Sequence, residues 1–167
     1  LTTAYVPTGM NGTNKTTLET SNIPPLNLAK RLDYLIEYPY GCVEQTTSSV
    51  FPQLYLSRLT DLSSYQKALT DRNIKSGILR LQAFQLPDGG LSYWPDSSPS
   101  DEWGTNYAGH FMLAAQAAGY ATPTGFIDHW KNFQRKKALS WAPDPHSFYG
   151  ADEVQAYRLY LLALAHA

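Results

Sequence analysis

Apolar residues recur every three or four positions along most of the chain, which is the spacing of one face of an α-helix. In the first such stretch, about 25–37, these positions include Leu28, Leu32 and Leu35, and Pro25 stands where a first helical residue is expected. The same spacing predicts further helices over about 42–59, 71–86, 106–118, 123–139 and 152–167. We therefore predict an all-α protein.

Three features interrupt this helical pattern. Pro52 lies inside the second predicted helix and should kink it or mark a late start, because proline lacks the N–H that the helix needs. The Pro-Asp-Gly-Gly cluster at 87–90 predicts a turn. Residues 11–22 are rich in Thr and Asn, and β-branching at 16–20 predicts a short strand.

A faint repeat at an offset of fifty residues relates two of the later helices, and a period of that length is typical of stacked helical hairpins. The matching pairs are Tyr107 with Tyr157, Phe111 with Leu161, Met112 with Leu162, and Ala115 with Ala165. The repeat therefore favours a layered arrangement of helix pairs.

Composition limits the classes of function. The chain has 167 residues, enough for one domain with a moderate core, and its 43% hydrophobic and 13% aromatic content excludes a disordered chain. A net charge of −1 gives no electrostatic basis for binding nucleic acid or an anionic membrane. The single cysteine cannot form an intramolecular disulfide.

That cysteine, Cys42, stands three positions before Gln45 in the segment Tyr-Pro-Tyr-Gly-Cys-Val-Glu-Gln, residues 38–45. Side chains at positions i and i+3 of a helix are neighbours. The Cys42 sulfur can then attack the Gln45 carboxamide carbon, and loss of ammonia leaves an internal thioester. Such a bond is an acyl donor that survives only while protein shields it from water and amines.

The motif resembles the thioester-containing domain of the α2-macroglobulin and complement superfamily, whose hallmark is Gly-Cys-Gly-Glu-Gln. This chain reads Gly-Cys-Val-Glu-Gln at 41–45, so Val43 departs from the vertebrate glycine. The flanks at 23–35 and 46–49, and the Asp-Gly-Gly-Leu-Ser-Tyr-Trp-Pro run at 88–95, are similar to the bacterial branch of the superfamily.

The resemblance implies an α/α toroid of helical hairpins, of which this chain holds about half. Residues 23–167 would be the N-terminal half of the toroid, and 1–22 a linker or short strand from a neighbouring β-domain. We therefore expect the chain to be cut from a longer protein whose remaining domains are its partners. Half a ring exposes apolar flanks, so a homodimer of this shortened chain is also expected.

The resemblance also implies a function. Relatives are broad-spectrum protease inhibitors in which cleavage of a bait region exposes the thioester, and a lysine amine of the protease attacks it. Here Cys42 would provide the leaving thiolate and Gln45 the acyl carbon, which ends in an amide with the protease. Each bond is consumed once, so the protein would not be an enzyme. Bacterial relatives imply a periplasmic or cell-envelope location, often with an inner-membrane lipid anchor.

Two further roles concern neighbouring residues. Tyr38 and Tyr40 flank the motif and are expected either to shield the thioester or simply to pack in the core. Some relatives carry a downstream histidine that accepts the acyl group and directs it to hydroxyls. His146, 104 positions after Cys42, lies best for this role, although a solvated loop histidine is the simpler interpretation. His110 is expected to be a core histidine.

Two alternatives remain open. The domain would be a non-covalent helical interaction module if the thioester no longer forms. It would be an enzyme if the Gly-Gly turn belongs to a toroid cyclase or lyase, or if Cys42 and His146 form a hydrolase. The sequence shows neither a cluster of carboxylates of the cyclase type nor a set of ligands for a metal, and no cofactor is implied.

Overall fold

The computed structural model describes residues 34–143 and 151–167, which form helices joined by turns. The described part holds no strand, only two isolated β-bridges near the 87–90 turn, so the predicted all-α class is confirmed. The helices are α1 (Val43–Val50), a 3-10 turn (Pro52–Leu54), α2 (Leu56–Leu59), α3 (Ser64–Gln82), α4 (Glu102–Ala117), α5 (Phe126–Leu139) and α6 (Ala151–Leu164).

Pro52 divides the predicted second helix into three short pieces. α1 ends at Val50, the 3-10 turn begins at Pro52, and α2 follows from Leu56 to Leu59. The proline has no N–H to continue the α-helical hydrogen bonds, so the chain tightens into a 3-10 turn and then restarts. The interruption keeps α1 short, and the motif occupies its first turn.

The bounds predicted for the third helix, 71–86, are wrong at both ends. α3 begins at Ser64 because Ser63 and Gln66 form a capping box. The Ser63 hydroxyl accepts from the Gln66 amide at 3.2 Å, and the Ser63 amide donates to Gln66 Oε1 at 2.9 Å. The helix ends at Gln82, ahead of the Gly-Gly turn.

Some predicted elements fall partly or wholly outside the described residues. Of the first helix, predicted over 25–37, the structure describes only 34–37, which form a turn and irregular chain, so the prediction is wrong for these residues. The strand predicted at 16–20 and the loop that contains His146 lie outside the described ranges.

The core forms where α1, α3, α4, α5 and α6 meet, with α1 packed on both α3 and α4. Its largest fully buried side chain is Trp130 of α5, whose indole N–H donates to the Thr105 carbonyl at 2.9 Å. α4 approaches this ring through Gly109, where an added Cβ would meet the indole at 2.2 Å. The glycine therefore sets the distance between α4 and α5.

We expect Gly109→Ala to lower the free energy of unfolding by about 2 kcal/mol, because overpacking against a buried ring outweighs the helix propensity gained. Urea unfolding followed by circular dichroism measures the loss. The control is Gln116→Ala at an exposed site of the same helix, which should change stability by less than about 0.5 kcal/mol. Equal stability of the two variants would contradict this account of the α4 to α5 contact.

Candidate functional site

The motif residues occupy the start of α1, where Cys42 is the N-cap in an extended conformation. Cys42 and Gln45 form a capping box, and the Cys42 amide donates to Gln45 Oε1 at 3.1 Å. This places the carboxamide of Gln45 beside the cysteine. The cysteine is a free thiol and only 2% exposed, whereas Gln45 is exposed.

Position 41 must be glycine because the Gln45 carboxamide lies directly against the Cα of Gly41. Its φ is +95°, a left-handed conformation that favours glycine, and a Cβ at this position would meet Gln45 Oε1 at 2.0 Å. Its carbonyl accepts from Arg80 Nη2 at 3.1 Å, and Arg80 Nε also donates to the Thr46 hydroxyl at 3.3 Å. α3 thus holds the turn that leads into α1.

Val43 stands where the vertebrate motif has glycine, and Gly104 of α4 provides the space for its larger side chain. Its side chain is fully buried against α4, where a Cβ on Gly104 would lie 2.5 Å from Val43 Cγ1. Gly104 therefore provides the space that a valine at the first position of α1 needs. The Val43 amide has no partner within its helix and donates to the Tyr93 carbonyl at 3.1 Å.

Sequence reasoning missed Tyr93. The structure brings it to the motif from 51 positions after Cys42. Its hydroxyl donates to Glu44 Oε2 at 3.4 Å and lies within hydrogen-bonding reach of the Cys42 sulfur. The hydrogen bond with Cys42 and the charge of that sulfur, followed by desolvation and Glu44, raise the pKa of Tyr93 to about 12. The Gly-Gly-x-x-x-Trp segment that holds Tyr93 was the available signal, but it carried no indication of a contact with Cys42.

Tyr38 and Tyr40 lie beside the motif with ring centroids 4.5 Å apart. They are 42% and 69% exposed, and they line an open groove of about 490 Å³ that also contains Gln45. In this chain the Gln45 carboxamide is therefore reachable from solvent through the groove. The shielding role of the two tyrosines stays a prediction.

The histidines do not join the motif in the described part of the chain. His110 Nδ1 is hydrogen-bonded to the Tyr157 hydroxyl at 2.8 Å, and its ring packs edge-on against Phe51, whose centroid lies 4.9 Å away. Phe51 follows α1, about two helical turns from Gln45. Burial lowers the pKa of His110. His146, the predicted acyl acceptor, lies outside the described residues.

Within residues 34–143 and 151–167, no group of three His, Cys, Asp or Glu side chains is placed to hold a metal ion. No helix of the same ranges is both long and apolar enough to cross a bilayer.

The model of the A-macroglobulin TED domain family matches residues 14–141, which is most of the chain. The chain belongs to this family. The resemblance stated from the motif is thereby confirmed. Alpha-2-macroglobulin of Escherichia coli K12 is 34% identical over 129 residues, and that of Xylella fastidiosa strain Temecula1 is 32% identical over 143 residues. The matches cover 75% and 83% of this chain, but 8% of each relative.

Solved structures of bacterial alpha-2-macroglobulins contain the same fold. Salmonella alpha-2-macroglobulin reacted with methylamine matches 86% of this TED chain with a TM-score of 0.70 at 29% identity. The Escherichia coli protein activated by porcine elastase matches 86% of it with a TM-score of 0.63 at 31% identity. This chain spans 10% and 14% of those two chains. It thus corresponds to a small part of proteins that belong to a protease-trapping family.

Proposed function

We propose that this chain is the thioester-bearing part of a broad-spectrum protease inhibitor that captures proteases covalently. The observation that carries the proposal is the pairing of buried Cys42 with Gln45 on the first turn of α1, where the Cys42 amide holds Gln45 Oε1 at 3.1 Å. Cleavage of a bait region elsewhere in the parent protein would expose the bond. A lysine amine of the protease would then attack it.

The arrangement supports both formation and opening of the bond. The Cys42 sulfur attacks Gln45 Cδ, the Cδ–N bond breaks, and the thiol proton leaves with the nitrogen as ammonia. In both directions negative charge develops on Gln45 Oε1, and the Cys42 amide that already binds this atom stabilises it. During capture the amine nitrogen bonds to Cδ, the Cδ–Sγ bond breaks, and an amide and a free thiol remain.

This chemistry is single-use, so the protein acts as an inhibitor rather than an enzyme. The α2-macroglobulins of the family are protease inhibitors, which supports that assignment. Structures of relatives include Escherichia coli alpha-2-macroglobulin activated by trypsin and by porcine elastase, which supports proteases as partners here. We propose a periplasmic or cell-envelope location by analogy with bacterial relatives.

The remaining partners are further domains of the parent protein. α6 carries large apolar side chains that are about half exposed in the described chain, namely Leu159, Tyr160 and Leu164. We propose that 23–167 is half of a toroid whose other half packs against this face, with 1–22 leading from a neighbouring β-domain. In the isolated chain a second copy would cover the face and give a homodimer.

The test of the proposal is the intact mass of the chain, prepared without denaturant, before and after methylamine. We expect a species lighter by one ammonia that becomes heavier by one methylamine while one thiol appears. Methylamine is a small amine that reaches the groove beside Gln45, and a thioester is the only source of both changes. Thiol titration with Ellman's reagent provides the second readout.

The alternative is a non-covalent helical interaction domain in which the thioester does not form. The exposure of Gln45 in the groove favours this reading for the chain alone, since an unshielded thioester is hydrolysed. It requires an unchanged mass and one free thiol with and without methylamine. The same experiment on the parent protein then distinguishes a thioester that forms only when further domains are present from a thioester that does not form at all.

A further inference from the structure

Tyr93 is held at the candidate site by its own backbone and by that of its neighbour. The Tyr93 carbonyl accepts from the Val43 amide at 3.1 Å, and Ser92 is fully buried with its hydroxyl donating to the Trp94 carbonyl at 2.7 Å. These bonds fix the chain on both sides of the tyrosine. The fold of the loop therefore places Tyr93 over the start of α1, where its hydroxyl donates to Glu44.

The burial of the Cys42 sulfur explains why a nearby hydrogen-bond donor matters. Cys42 is 2% exposed, so water cannot solvate a charge that develops on its sulfur. Tyr93 is 40% exposed, and its hydroxyl donates to Glu44, two positions after Cys42, while its carbonyl accepts from the next residue, Val43. The other charged groups near the turn are Glu44 of α1, which competes for the phenol hydrogen, and Arg80 of α3, which is bonded to Gly41 and Thr46.

We propose that Tyr93 is a catalytic residue of the thioester chemistry, donating a hydrogen bond to the Cys42 sulfur whenever that sulfur carries negative charge. The inference rests on the function proposed above for Cys42 and Gln45. When an amine opens the bond, the Cδ–Sγ electron pair moves to the sulfur, and the phenol hydrogen turns from Glu44 to the new thiolate. The surplus proton of the amine then passes through solvent to the sulfur and completes the thiol.

The phenol acts as a hydrogen-bond donor and keeps its proton. Its pKa of about 12, raised first by the hydrogen bond with Cys42, lies well above that of an ordinary thiol. Transfer of the proton to a thiolate is therefore unfavourable, whereas a hydrogen bond to a charged acceptor is stronger than one to a neutral group. Glu44 sets the resting position of the hydrogen, and Tyr93 supplies it to the sulfur.

The test measures the reactivity of the free thiol, which exists whether or not a thioester formed beforehand. Each protein is first treated with methylamine so that Cys42 is a thiol, and its alkylation by iodoacetamide is then timed at about pH 7.5. We expect Tyr93→Phe to be alkylated about three- to tenfold more slowly, because the negatively charged sulfur that reacts with iodoacetamide loses its hydrogen-bond donor.

The matched control is Tyr65→Phe, which removes the same hydroxyl from an exposed tyrosine on α3 and should leave the rate unchanged. If the Tyr93 ring merely covered the sulfur, disturbing it would expose the thiol and make alkylation faster. Slower alkylation in Tyr93→Phe alone supports the inference. An equal or faster rate overturns it.

A second variant tests the competition for the phenol hydrogen. Glu44→Gln should make alkylation faster, since the carboxylate no longer holds the hydrogen and a negative charge is removed. In the Tyr93→Phe background this gain should shrink, because only the charge effect remains. An undiminished gain contradicts the competition and the inference with it.

The result for Tyr93 is separable from the function on which it rests. Absence of a species lighter by one ammonia in the wild-type chain would count against the thioester in this chain. The alkylation comparison would still decide whether Tyr93 stabilises the charged sulfur.

Discussion

Replacing Cys42 by alanine is expected to abolish every adduct that joins a protease to the proposed parent protein and survives boiling in SDS. The sulfur is the leaving group and alanine cannot form the bond, so the loss should be complete. Cys42 is buried and small, and alanine retains its Cβ, so α1 should still form. Trypsin with gel electrophoresis under reducing conditions measures the adduct.

Gln45→Glu is the matched variant, because it preserves the size and the acceptor oxygens of the side chain but does not lose ammonia to a thiol. Cys42→Ala and Gln45→Glu should be equally inactive, since two groups that make one bond act as a unit. Wild-type protein whose thioester has been opened with methylamine beforehand should likewise form no protease adduct. Adducts that persist in Cys42→Ala would refute the thioester.

The same pair of variants separates the inhibitor from the enzyme alternative. A hydrolase built on Cys42 needs the sulfur as nucleophile but not the Gln45 carboxamide. Turnover of an ester substrate that survives Gln45→Glu and disappears in Cys42→Ala would favour a hydrolase. Loss of trapping in both variants without any turnover supports the single-use acyl donor.

The parts of the site that lie close in sequence were predictable, because helical geometry alone brings positions i and i+3 together. Cys42 and Gln45 follow this rule, and the structure adds the hydrogen bond of 3.1 Å between them. The Ser-x-x-Gln signature of a capping box was also present at 63–66 and would have placed the start of α3 correctly. Apolar spacing alone was less reliable, since the helix it predicted at 25–37 is not helical over the described residues 34–37.

Contacts between distant segments were not predictable from patterns. Tyr93 reaches the motif only because the loop after the Gly-Gly turn pairs its carbonyl with the Val43 amide. Gly104 was not recognised as the space for Val43, since periodicity predicts that a position faces inward but not which residue it meets. Arg158 lies on a helix whose apolar spacing was recognised, yet nothing in that spacing predicted a buried arginine.

Arg158 joins three helices through a buried polar network. It is 1% exposed, and its guanidinium donates to Gln134 of α5 at 2.9 Å, to Gln155 of α6 at 2.5 Å and to Glu102 of α4 at 2.5 Å. Gln134 in turn donates to Asn106 of α4 at 2.7 Å. The network therefore fixes α6, the last described helix, against α4 and α5, and α4 in turn packs on α1.

We expect Arg158→Ala to lower the free energy of unfolding by about 3 kcal/mol, because it leaves a cavity and removes the donor to two buried amide oxygens. The cost lies below that of a fully buried ion pair, since Glu102 is 41% exposed and water can solvate it. Guanidinium chloride unfolding followed by circular dichroism gives the value. Arg158→Lys should recover only part of it, since an ammonium group lacks the planar fork.

The control is Lys137→Ala, because Lys137 is a second cation on the same carboxylate, bonded to Glu102 at 2.8 Å but 39% exposed. An exposed pair of this kind contributes less than about 1 kcal/mol. If Arg158→Ala costs no more than Lys137→Ala, the network does not stabilise the packing of α6.

The network also predicts how stability depends on pH. Burial of Glu102 acts to raise its pKa, but hydrogen bonds from Lys137 and Arg158 outweigh this, and the pKa is lowered from its usual 4.5. A carboxyl whose pKa is lower in the folded state stabilises the fold above its unfolded pKa, and this contribution is lost as pH falls through the folded pKa. Glu102→Gln should therefore reduce the loss of stability below about pH 4.5.

Since Glu102 bonds to both cations while only Arg158 is buried, we expect Arg158→Ala to reduce this dependence of stability on pH more than Lys137→Ala does.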